Sequence, residues 1–324
     1  MTPLEKSILA TIVYYDTLNL PLTQMEIFKY LIKITPEQKL SKINLFNIIT
    51  LLESKELKRF IESKNGFYFL KGREKLIKQR IKKQKITEQK WKIAKRIIWI
   101  MQSIPFLKGV IISGSIAMGN AKKESDIDVL IITSKNRIWT TRAITTLLLH
   151  LLKRRRHNNL TKDRICLNHY ITEKSLNIIH RSLYNAQTYA HLIPVLELEN
   201  FNLKKFYQKN KWIKNYLFFI FSEKNLIFRK SKHSLLLNFF RKSLEYILEN
   251  PLGDLLEKIT KIIQVFRIKR DKLTYAKGGR IVINDMELEF HPKSPEKIII
   301  ENYNKKMKEL GFPELGNQRD SGLR

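Results

Sequence analysis

Two short apolar runs, Val110-Ile111-Ile112 and Val129-Leu130-Ile131-Ile132, bracket the segment that opens Ser113-Gly114-Ser115 and closes Ser125-Asp126-Ile127-Asp128. No other stretch of the 324 residues constrains the fold as tightly. Short runs rich in β-branched residues and bounded by polar turns predict strands buried on both faces. Side chains alternate faces along a strand, so Asp126 and Asp128 project from one face and Ile127 from the other. Two carboxylates held side by side repel each other unless a cation lies between them. An oxygen-rich pair of this kind suits Mg²⁺, which is commonly shared between one or two carboxylates and substrate phosphates. An edge strand with two solvated aspartates is the plainer alternative, but it does not explain why acids interrupt a run that is otherwise apolar.

Gly114 ends the first strand, and a helix is expected to start at Ser115. Such a turn turns backbone N–H groups toward an anion, and the missing Cβ lets a phosphate come close. One segment thus offers a phosphate cradle, a short helix and a metal-binding carboxylate pair, which are the parts phosphoryl or nucleotidyl transfer needs.

The order strand, Gly-Ser, ten-residue spacer, Ser-Asp-Ile-Asp, strand resembles the signature of the DNA-polymerase-β-like nucleotidyltransferase superfamily. The resemblance implies that Gly114 and Ser115 hold the β- and γ-phosphates of an NTP. It further implies that Asp126 and Asp128 ligate two Mg²⁺ (or Mn²⁺) ions. Active members of the superfamily add a third carboxylate on a later strand. The next expected strand here, Arg164–Ile171, contains no acid; Asn168 sits where one is sought and is assigned with the nucleotide-binding residues, while Asp163, just before the strand, is the candidate third catalytic acid. Many small members also carry an arginine two residues after the position of Ile116, where this chain has Met118. The whole chain is similar to bacterial proteins that join an N-terminal winged helix to a nucleotidyltransferase domain.

The formal net charge of +31 favours polyanionic partners, although A+T-rich coding sequence would also produce such a Lys- and Ile-rich chain. RNA or DNA, bound through basic surfaces, is therefore an expected partner beside the NTP, and no protein partner is indicated. A single cysteine, Cys166, fits a reducing cytoplasm, and its apolar strand makes it a buried core thiol. The seven histidines show no ligand spacing. No segment has the length to cross a bilayer, and the N-terminus lacks the features of a signal peptide, so a cytoplasmic protein without membrane contact is expected.

The expected fold class is α/β (α+β), with a small mixed sheet and flanking helices. Residues 1–85 follow the winged-helix order. Leu4, Ile8, Leu9 and Ile12 recur at helical spacing, Thr23 and Glu26 form a capping box, a third helix spans about Ser41 to Lys55, and Asn65-Gly66 turns a hairpin. Set in a major groove, the third helix would expose Ser41, Lys42, Asn44, Asn47 and Thr50. Residues 71–96 hold twelve Lys or Arg against Glu74 and Glu88, either a solvated helix face or a phosphate-tracking surface. A second basic cluster, Lys153 to His157, reads as a helix cap and loop. Residues 86–172 form the nucleotidyltransferase core, and 173–315 a helical region with a small hairpin at 278–292. In the helical region, the stripes around Tyr189, Trp212, Leu235–Leu248 and Leu255–Phe266 are expected as bundle core. His291 reads as structural, and residues 316–324 as a disordered tail.

Two functions follow. The first is a Mg²⁺-dependent nucleotidyltransferase that moves an NMP from an NTP to an acceptor hydroxyl on RNA, a protein or a small molecule, releasing pyrophosphate. The second is a winged-helix nucleic-acid-binding regulator whose transferase domain is inactive or senses nucleotide.

Overall fold

The structure is a computed structural model that describes residues 1–39, 43–157, 160–199, 201–219, 229–276, 279–292 and 294–312. The fold is mixed α and β, with flanking helices around a six-stranded mixed sheet. Among the described residues no helix is long and apolar enough to cross a membrane.

Helix α1 (Pro3–Thr17) starts at a capping box between Thr2 and Glu5. Strand β1 (Leu22–Thr23) leads into α2 (Gln24–Lys29), capped by Thr23 and Glu26 as the sequence indicates. Helix α3 is shorter than expected, Leu45–Leu52, because Asn44 caps it through a reciprocal pair of bonds with Asn47. Two of the five residues expected on its exposed face are thereby bonded to each other, Thr50 bonds back to the Phe46 carbonyl, and Ser41 and Lys42 lie outside the described residues. Strands β2 (Ile61–Lys64) and β3 (Phe67–Leu70) pair across Asn65 and Gly66, both at positive φ, and the small sheet runs β1-β3-β2.

Helix α4 (Lys75–Ile100) carries the chain from this N-terminal part to the large sheet, so the 85/86 boundary expected from sequence falls inside one helix. Strand β4 (Leu107–Ile112), the single helical turn α5 (Gly114–Ala117) and strand β5 (Ile127–Thr133) follow, with β4 and β5 antiparallel. Helix α6 (Ile138–Leu151) crosses back so that β6 (Ile165–Thr172) pairs with β5 in parallel. Beyond α7 (Leu183–Ala190) the expected helical pair gives way to a strand, β7 (Ile193–Glu197), on the edge beside β4. Pro194 is tolerated there because an edge strand leaves one side of its ladder unpaired, and the register shifts at that point. After α8 (Leu203–Lys209) come α9 (Leu235–Leu248) and α10 (Pro251–Arg270). The hairpin β8 (Arg280–Ile283) and β9 (Glu287–His291) completes the sheet in the order β7-β4-β5-β6-β9-β8, and α11 (Glu296–Glu309) ends the described fold.

One core lies on each side of the sheet. Trp91, Ile98, Met101 and Trp139 pack under one face. The other face shares its core with the N-terminal part through α7, α8 and α11, where Tyr14 meets Tyr303 edge to face and Tyr15 donates to Gln187. Trp212, Ile213 and Leu217 are buried as expected. The stripes of α9 and α10 are not: they face solvent, and apart from Val265 and Ile268 the inward sides of both helices make mainly polar contacts.

Candidate active site

The site starts from one glycine. Gly114 adopts φ +62°, a left-handed conformation that glycine reaches without strain. A Cβ built on it would lie 2.4 Å from Asp128 Oδ2, so the turn and the carboxylate touch only because that atom is missing. Ser113 caps the turn, and its N–H donates to the Asp128 carbonyl at 3.0 Å, fixing the end of β4 against the start of β5. The helical turn includes Gly114 itself, one residue earlier than expected. The first N–H groups of any helix lack intrahelical acceptors, so Gly114 and its neighbours present free donors. Ser113 and Gly114 line the cavity; Ser115, one step further on, is half-buried and accepts from Asn120 N–H through its carbonyl.

Asp126 and Asp128 flank buried Ile127 and share one face, as strand alternation requires. Their carboxylates come together with Cys166 Sγ, each offering one ligand atom within 4.8 Å of the others. Cys166 stands directly across from Asp128 in the ladder. Cys166 is buried, as its apolar strand indicates, and in that position it faces the acid pair. Withdrawal from water, with the Asp126 charge beside it, pushes the Asp128 carboxyl up to about 7. Burial, with the two aspartates close by, also pushes the Cys166 thiol well above its usual range.

Arg156 answers these charges. Its Nη1 lies 2.7 Å from Asp126 Oδ2 and 3.1 Å from Cys166 Sγ. That Asp126 oxygen is buried and accepts no well-directed hydrogen bond, so the half-exposed guanidinium is what faces it. The basic run 153–157 is thus more than a cap and loop. Arg155 bridges to Ile165, which lays the run alongside β6 and carries Arg156 into the site.

Asn168 Nδ2 donates to Asp128 Oδ1 at 3.3 Å. Asp163 does not join this group. Its Oδ1 takes a 2.7 Å ion pair from Lys90 Nζ, which also donates to the carbonyls of Lys123 and Ser125. Lys90 is almost fully buried and pins the spacer from behind. It is one of twelve cations in residues 71–96, of which Lys90 and Arg80 are buried, a difference not visible in the charge run.

A bulge in β6 sets the rest of the wall. Asp128 faces Cys166 and Leu130 faces His169, so one extra residue on β6 brings both onto the same face. His169 pairs with Glu289, and Glu287, Glu289 and His291 alternate toward the same side. His169 Nε2 lies 3.0 Å from Glu287, and Arg280 lies 2.7 Å from Glu289. His291, read from sequence as structural, lines the cavity, with Nδ1 3.5 Å from Asn168 Nδ2. Burial, with Arg280 close by, pushes it down to about 3. The cavity, about 260 Å³, is closed on the far side by Tyr184, Asn185, Thr188 and Tyr189.

A turn with a left-handed glycine and an acid pair on adjoining strand ends thus open into one cavity. Residues 95–218 match the family model of the nucleotidyltransferase domain, a match consistent with the polymerase-β-like superfamily. No curated protein and no solved structure matches the chain.

The donor set suits a hard divalent cation in part. Two adjacent carboxylates and the space left by the missing Gly114 side chain fit an oxygen-bound Mg²⁺ or Mn²⁺ shared with phosphates. Cys166 supplies sulfur where a third oxygen would complete a second site.

Proposed function

We propose that the protein is a Mg²⁺- or Mn²⁺-dependent nucleotidyltransferase that moves an NMP from an NTP to an acceptor hydroxyl on RNA, a protein or a small molecule, with release of pyrophosphate. The observation that carries this reading is the contact at Gly114, where only a missing Cβ lets a phosphate-type turn lie against Asp128. A bound cation supplies neutralisation of the triphosphate charge. Asp126 and Asp128 hold it, the N–H groups beginning at Gly114 orient the phosphates with Ser115 close by, and the Asn168 amide steadies Asp128. Asp163 acts from behind, through Lys90, on the position of the spacer. Arg156, half-exposed and next to Asp126, is placed to pass from the carboxylate to an incoming phosphate.

A second reading is favoured by the third group at the pair being Cys166 rather than an acid. In it residues 1–85 form a winged helix that binds nucleic acid, and the transferase domain senses nucleotide. One experiment separates the two. Purified protein is incubated with each α-³²P-labelled NTP, Mg²⁺ or Mn²⁺, total RNA and cell extract, and run on a gel. Label transferred to an acceptor, and lost in the Asp126→Asn, Asp128→Asn double variant, supports the enzyme. Metal-dependent nucleotide binding without transfer supports the sensor.

A further inference from the structure

Helices α9 and α10 are inside out. The side of α9 that meets the rest of the chain is polar: Arg241, 2% exposed, bonds Glu199, Glu245 and Asn238, and Glu245 accepts the Phe106 N–H at 2.8 Å. The inward side of α10 is largely polar too, although Val265 and Ile268 near its end pack on the sheet core. Glu257 accepts from Trp139 N–H and Thr140 N–H at the start of α6, and Gln264 donates to the Trp139 carbonyl. The apolar side chains point outward, seven large ones on α9 and six on α10, with Leu235 at 90% and Ile262 at 69%. Charged residues normally take the outer face of such helices, and apolar residues the inner one.

The outward stripe has a period. On α10, Leu252, Leu255, Ile259, Ile262 and Phe266 are all exposed and follow one another at steps of three, four, three and four. On α9, Leu236, Phe240 and Ile247 keep the same seven-residue frame. This is the spacing with which one helix packs along another. The helices are joined by a tight turn in which a Cβ on Gly253 would lie 1.8 Å from the Leu248 carbonyl oxygen, so the two stripes are presented as one unit. From ordinary side-chain areas, the exposed apolar surface is on the order of 1,000 Å². That exceeds the roughly 300–600 Å² of the largest patch on a typical monomer and matches the roughly 800 Å² that each partner gives to a stable complex.

We infer that this face is covered by the same face of a second copy of the chain. Two identical two-helix units of matching width and period close on each other about a two-fold axis as a four-helix bundle, and such a self-complementary contact needs no other component. The cationic ends of the stripe, Arg267, Lys269 and Arg270, then fall at the rim, where charge stays in water.

The test is the mass of the full chain by light scattering between about 1 and 100 µM, a range that brackets stable dimers, for the wild type and for Leu255→Glu with Ile262→Glu. The expected result is twice 38.5 kDa for the wild type and 38.5 kDa for the variant, with unchanged helix content by circular dichroism. Should the variant not fold, hydrogen exchange in the wild type decides, with amides of 252–266 expected to lose protection on dilution. A wild type that is monomeric throughout, a variant that stays dimeric, exchange at 252–266 independent of concentration, or a monomer that sediments with anionic vesicles would each overturn the inference, the last in favour of a lipid surface.

Discussion

Two clusters of three metal-competent side chains sit on neighbouring strands, and they are built in opposite ways. Asp126 and Asp128 line a cavity with Cys166 beside them, and the three are answered by one half-exposed arginine. His169, Glu287 and Glu289 have the same tightness, but all three are buried, and each carboxylate already has a partner within the fold, His169 for Glu287 and Arg280 for Glu289. A buried ion pair broken on one side leaves a stranded charge, so the second cluster is part of what holds β6 to β9 and β8. The first has capacity left over. The lesson is that proximity of ligand atoms does not single out a functional site; unspent charge beside open space does.

The comparison is most sharply tested at Gly114. Gly114→Ala places a methyl group where Asp128 Oδ2 now lies. It is expected to lower metal-dependent nucleotide binding and transfer by ~100-fold or more, the scale of a misplaced reacting group, and to lower the melting temperature as well, because alanine is strained at φ +62°. Retained activity would show that the turn and the acid pair do not work together.

The second cluster should respond the other way. Glu289→Ala takes from Arg280 its shorter ion pair, leaving its contacts with Glu296 and Asn185, and is expected to cost about 1–3 kcal/mol of stability, read by urea denaturation. Metal binding measured by calorimetry well below the melting point should persist. Loss of metal binding at unchanged stability would reverse the roles assigned to the two clusters.

Two groups lining the same cavity, His291 and Asp128, also carry opposed pH signatures in metal-free buffer. The fold holds the His291 imidazole at about 3, below its ordinary 6.5, so its contribution is present above about pH 6.5 and is lost as pH falls toward 3. The fold raises Asp128 from 3.8 to about 7, so its contribution is full below about pH 3.8 and is lost as pH rises through 7. Between pH 4 and 6.5 the two partly cancel. His291→Gln should leave a chain that gains stability on acidification through that window, and Asp128→Asn one that loses it, by up to ~1 kcal/mol per pH unit in urea titrations. Identical slopes in both variants would remove the distinction.

The smallest stability change is expected at Arg156. The side chain is 44% exposed, and Arg156→Ala should alter stability by less than ~1 kcal/mol. Removing the cation that faces Asp126 should nevertheless raise the affinity of the free protein for Mn²⁺ several-fold, while nucleotide affinity falls. Calorimetry with each ligand alone reads both.

The acid pair, the turn and the strands that carry them were legible because each rests on local pattern: period two for Asp126 and Asp128, a left-handed turn for Gly114, β-branched runs for β4 and β5. The hairpin at Asn65-Gly66 and the caps at Thr23 and Glu26 were legible for the same reason. Arg156, His291, Arg280 and Lys90 were not. Arg156 comes by the bridge beside β6, His291 and Arg280 by the hairpin added to the sheet edge, and Lys90 from helix α4, and none carries a mark in its neighbours. Pro194 misled because proline ends helices more often than it lies in strands. The stripes of α9 and α10 misled because apolar periodicity says that a face is covered but not by what.

Lys90 sits two-thirds of the way along α4, a single rod about 39 Å long at 1.5 Å per residue. Near its other end, Arg80 is locked to Glu26 of α2 at 2.6 Å. One stiff beam is therefore bolted at one point to the N-terminal part and at another to the loop that sets the spacing between Gly114 and Asp126. Motion in such a beam is transmitted rather than absorbed. The spacer between Gly114 and Asp126 and the second helix of the N-terminal part are thus referred to one common element, the first through Lys90 and the second through Arg80.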